Sequence, residues 1–111
     1  MSKVITSKSK IWTGTVSLYE RFTLPQVELV EEALLSLPPV NDGKVRLTDI
    51  DRPRLPALLA CVEKWNLKDF PEVVTVETFP LTPRRPAHKL IEWIFDEIRT
   101  IYNGEIEIPN E

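Results

Sequence analysis

Apolar and polar residues alternate along residues 11–19: Trp12, Gly14, Val16 and Leu18 share one face, and Thr13, Thr15 and Ser17 the other. Rich in β-branched and aromatic side chains, this segment predicts a half-buried strand. Upstream, residues 1–10 are polar, with Val4 and Ile5 as their apolar anchors, and read either as a loose arm or as a first short strand. After Tyr19 the period changes. Val27, Val30, Leu34 and Leu37 recur at helical spacing behind Thr23-Leu24-Pro25-Gln26. There Thr23 can cap, Pro25 lacks only an N–H that the first turn leaves unused, and Gln26 can close a capping box. A helix over 24–37 follows, stopped by Pro38-Pro39, and Asn41-Asp42-Gly43 turns the chain.

Residues 44–47 read as a short extended piece. Leu55, Leu58, Leu59, Val62 and Trp65 then form a second helical stripe, predicting a helix over 55–66 with Pro56 at its irregular start and Asn66 as a left-handed stop. Residues 73–79 are β-rich and form a candidate strand left open by the sequence, with Pro71 and Pro80 on either side arguing against a central position. The last helix, over 87–102, carries Ala87, Leu90, Ile91, Ile94, Ile98 and Ile101 on one face and ends at Asn103-Gly104. Residues 105–111 are acidic, with Ile106 and Ile108 alternating, and read as a frayed tail. The expectation is one small domain over 1–111, mainly α with a minor β component: about three helices plus one or two short strands. Val30, Leu34, Leu58, Leu59, Val62, Ile94 and Ile98 should lie in its core.

Composition narrows the function. The 111 residues are 42% hydrophobic and 28% charged, a globular balance. The longest apolar run, residues 55–62, is far short of the ~20 residues that cross a bilayer. No apolar stretch follows Lys3, Lys8 and Lys10, so a secretory leader is not expected. Cys61 and His88 are each alone, which leaves no disulfide and no Cys/His zinc site within one chain. A lone thiol suits a reducing cytoplasm. The net charge of −3 and three glycines argue against a phosphate-cradling loop and make nucleic acid an unexpected partner.

Few residues offer chemistry. Asp49 and Asp51 bracket Ile50 ahead of a helix and read as caps rather than metal ligands. Cys61 lies in an apolar run that raises a thiol pKa, and His88 beside Lys89 is expected to face solvent, so a nucleophile–base pair is not expected. No catalytic, cofactor or metal residues are assigned, and the chain reads as a non-enzyme. Arg84, Arg85, His88 and Lys89 form one basic cluster, Arg52 and Arg54 another. With 14 basic against 17 acidic side chains, these suit a solvated edge or an acidic protein partner better than nucleic acid. On the last helix, Trp93 and Phe95 each lie about 100° from Ile94, on opposite sides. The apolar arc therefore approaches about 200°, too wide for one contact. Either neighbouring loops wrap both flanks, or Trp93 or Phe95, with Tyr102 on Phe95's side, meets another chain.

The element order also resembles a known family. Residues 61–70, Cys-Val-Glu-Lys-Trp-Asn-Leu-Lys-Asp-Phe, place a Trp-Asn turn after a helix, and Phe79-Pro80-Leu81-Thr82-Pro83 introduces an amphipathic C-terminal helix. This is similar to the tail assembly chaperones of long-tailed bacteriophages and prophages, over residues 55–102. The resemblance implies a non-enzymatic protein of the host-cell cytoplasm that coats the tape measure protein, keeps it soluble and helps recruit tail tube protein. It also implies self-association, and in many members a frameshifted longer form. Residues 71–80 depart from the family, being longer and more β-rich than its glycine-containing turn. A structural virion component, such as a head–tail connector, is the alternative, and a small nucleic-acid-binding regulator the third reading.

Overall fold

The computed structural model describes residues 2–36 and 46–106, with only the backbone for the last two. In chain order these form β1 (Ser2–Thr6), β2 (Gly14–Tyr19), α1 (Leu24–Leu35), α2 (Leu47–Asp51), α3 (Arg54–Cys61), β3 (Val62–Leu67) and α4 (Arg84–Ile106). The strands make an antiparallel sheet in the order β1-β2-β3, with Ile5 opposite Val16 and Val16 opposite Trp65. Ile5, Val16, Leu18 and Leu67 join the helical residues Val30, Leu55, Leu58, Cys61, Leu90, Ile91, Ile94, Phe95 and Ile98 in one buried cluster. α3 packs between α1 and α4, and α2 lies against the start of α4. Helix prevails over strand, as expected, but the sheet is larger than the one or two strands anticipated. Among the described residues no helix is long and apolar enough to cross a membrane.

Local chemistry explains the agreements. Gln26 Oε1 accepts the Thr23 N–H at 2.7 Å, closing the expected box, while its Nε2 donates to the Ala60 carbonyl at 2.7 Å and ties α1 to α3. Pro56 and Pro86 each fall in a helix's first turn, where the absent donor is harmless. Gly14 has φ 131°, and a Cβ there would sit 2.2 Å from the Asn66 carbonyl oxygen, so glycine is what lets β2 and β3 meet.

Several expectations are corrected. The second helix ends at Cys61, and Val62 turns extended (φ −87°, ψ 121°) to start β3 instead of continuing to 66. Pairing with β2 places Val62 and Leu67 in the core with Trp65 half-buried against it, a gain that outweighs the helical spacing. The left-handed residue is Asp69 (φ 62°), not Asn66. Residues 73–79 form turns, not a strand. Thr75 and Thr78 bind each other's backbone N–H groups at 3.2 and 2.7 Å, and Thr78 Oγ1 donates to the Val73 carbonyl at 2.8 Å.

Of the two readings of the N-terminal segment, the strand holds and the loose arm does not: β1 is followed by a loop held by its serines. Ser7 Oγ donates to the Trp12 carbonyl at 2.7 Å, and Ser9 Oγ accepts the Ile11 and Trp12 N–H groups at 3.1 and 3.2 Å. Leu47 begins α2 rather than ending an extended piece. α4 starts at Arg84, three residues early, and runs through Asn103-Gly104 to Ile106. Leu34 and Leu59 are half-buried rather than core. The ends of the expected 24–37 helix and of the tail, together with the 38–45 turn region, lie outside the described residues.

Candidate functional site

Adjacent positions on a helix point about 100° apart, and this splits the basic cluster of α4. Arg84 and His88, one turn apart, face inward to Asp51 at the end of α2. Arg84 Nη2 donates to Asp51 Oδ2 at 2.8 Å, and His88 Nδ1 lies 2.9 Å from Oδ1. Asp51 is 1% exposed, so it is the buried anchor of α4's first turns and not a cap or an open metal ligand. Asp49 does act at a helix start: its carboxylate accepts from the guanidinium of Arg46, the main cause that holds its pKa below the usual range, and from the Arg46 backbone N–H. Nearby, the Arg54 guanidinium stacks 5.0 Å above the Phe95 ring, its Nε and Nη1 buried without hydrogen-bond partners. His88, expected in solvent, is thus drawn to the interior. Cys61 is fully buried in α3.

Arg85 and Lys89, the outward pair, continue through Trp93 to Asp96 as a ridge on the surface of α4. The serine-held loop faces this ridge with Lys8, Ser9, Lys10 and Ile11, and the two enclose a groove of about 740 Å³ also lined by Pro86, Leu90 and Glu92. Ile11 is 41% exposed and Trp93 half-buried, which gives the groove an accessible apolar floor. Both carboxylates already have basic neighbours: Glu92 Oε2 lies 3.9 Å from His88 Nε2, and Asp96 Oδ1 3.7 Å from Arg99 Nη1. Among the described residues none of the four cations, Lys8, Lys10, Arg85 and Lys89, takes part in an ion pair.

The five residues expected at a partner surface are therefore not one site. Trp93 and Arg85 line the groove. Arg84 faces Asp51, and Phe95 is 1% exposed, so of the two aromatics flanking the α4 stripe Phe95 is the one taken into the core. Tyr102 donates its hydroxyl to Glu31 Oε2 at 2.8 Å, joining α4 to α1, and that carboxylate raises the phenol's pKa. Lys8 and Lys10 were missed because residues 1–10 read as an arm or a first strand, and Ile11 because it falls in the strand-like stretch 11–19. Ser7 and Ser9, two positions apart, gave only a weak signal, that of turn-forming residues. Trp65, Phe70 and Phe79, from the segments that carry the family resemblance, form an aromatic cluster with Trp12: Trp65 stacks on Phe70 at 5.2 Å, and Phe79 meets both edge-on. Comparison with family models, curated proteins and solved structures finds no match.

Proposed function

We propose that this chain is a non-enzymatic protein-binding module of the tail-assembly-chaperone type, which holds an apolar segment of the tape measure protein in the groove between α4 and the β1–β2 loop. The observation that carries this reading is the open apolar floor of Ile11 and Trp93 between two walls held in place from within. The loop is fixed by Ser7 and Ser9, and the start of α4 by Asp51. A rigid groove binds without first having to order its own walls. Aromatic side chains also supply much of the energy at protein interfaces. The resemblance over residues 55–102 supplies the client, with tail tube protein as a further partner in the host cytoplasm.

The test is co-expression with the tape measure protein encoded in the same genome. The tape measure protein should stay soluble with the parent chain and precipitate with Ile11→Ser/Trp93→Ser, provided that variant stays folded. Equal solubility with the folded variant refutes the reading. The open edge of β1, where Val4 is 61% exposed, favours a second reading in which the strand adds to a neighbour inside a virion ring. Mass spectrometry of finished particles separates the two, since a chaperone leaves and a connector stays.

A further inference from the structure

The groove's charge points to the chemistry of its occupant. Four cations surround the floor without an ion-pair partner among the described residues, while both acids on its rim have basic neighbours. The groove is thus locally positive on a chain whose net charge is −3. We infer that the groove takes an acidic peptide segment carrying a large aliphatic or aromatic side chain, its carboxylates meeting Lys8, Lys10, Arg85 and Lys89 and its apolar side chain resting on Ile11 and Trp93. This rests on the groove being the client site and adds what the client segment must look like.

The dimensions suit such a segment. From Arg85 to Asp96 the ridge runs about 16 Å along the helix axis, room for about five residues of extended chain. Cations on both walls reach carboxylates at the segment's edges, while the floor takes the side chain between them. A single-stranded nucleic acid shares the negative charge but fits less well. Its bases stack on successive aromatic rings, and this floor offers one indole among Ile11, Pro86 and Leu90.

The test uses the whole chain and three labelled probes followed by fluorescence anisotropy: a short peptide of alternating glutamate and leucine, its lysine–leucine counterpart, and oligothymidylate. The acidic peptide should bind, more weakly as salt rises, and the basic peptide should not. Lys89→Glu should weaken binding about tenfold. Ile11→Ser, a loop substitution outside the packed core, should do so by a similar factor. Lys64→Glu, exposed on β3 away from the groove, should leave binding unchanged. Tighter binding of oligothymidylate, or insensitivity to both groove substitutions, overturns the inference. If the acidic peptide fails while Ile11→Ser still impairs tape-measure binding, the segment chemistry is wrong and the client site stands. If neither ligand responds to the groove, both fail.

Discussion

Replacing Asp51 with Ala removes the one fully buried carboxylate among the described residues and leaves Arg84 and His88 facing the interior. Breaking a buried pair by deleting one partner costs about 3–5 kcal/mol, because the remaining charge stays desolvated. Here the side chains of Arg84 and His88 keep 29% and 16% exposure, so water relieves part of that penalty and the lower end, about 3 kcal/mol, applies. For a domain of this length about 1 kcal/mol moves Tm by roughly 4 °C, so the expected fall is on the order of 12 °C. Urea titration followed by circular dichroism measures it directly. Asp51→Leu with Arg84→Met and His88→Leu should recover most of the loss, since an apolar cluster needs no counter-charge. If Asp51→Ala lies within about 1 kcal/mol of the parent, or if the triple variant is no better than the single one, the pair does not anchor α4 and the account of the cluster is wrong.

Gly14→Ala should destabilise by about 2–4 kcal/mol, because its Cβ meets the Asn66 carbonyl at a backbone angle that L residues rarely adopt; a thermal melt near the parent's would contradict the β2–β3 approach. Phe95→Ala should lose about 3–5 kcal/mol as a core cavity forms, whereas Trp93→Ser should lose clearly less stability and more client binding; the reverse order would place the wrong aromatic in the groove. The Tyr102 phenol should titrate above its ordinary range, and Glu31→Gln should bring it back, as followed by tyrosinate absorbance. Because the folded-state pKa is raised, this bond's contribution to stability is present below the unfolded pKa and lost as pH rises through the folded one.

The sequence was most legible where local chemistry and burial agree. Thr23 and Gln26 announced α1, alternation around Val16 and Leu18 announced β2, and Leu90, Ile91, Ile94 and Ile98 announced α4. Reading failed where a long-range partner decided the outcome. Val62 and Trp65 continue a helical stripe in sequence, and only pairing with Leu18 and Val16 makes them strand residues. The candidate site was half visible. Arg85 and Trp93 could be placed on α4 by angle, but nothing local distinguishes Arg84, drawn in by an aspartate 33 positions away, from Arg85 beside it. Likewise Lys8, Lys10 and Ile11 join the groove only because serine side chains hold the loop beside α4, and polar composition alone does not separate such a loop from an arm.

The three tryptophans allow one direct test of the groove: Trp12 is buried, Trp65 lies in the aromatic cluster, and Trp93 lines the groove. Backbone and indole N–H correlation spectra should be recorded while a soluble tape-measure segment is added. Binding at the groove should move the Trp93 indole signal and the amides of Lys8, Lys10, Ile11, Arg85 and Lys89, with the Trp12 and Trp65 indoles nearly still. Shifts centred on Trp65 or on the β1 edge, with Trp93 and the loop unmoved, would contradict the assignment of the groove as the client site.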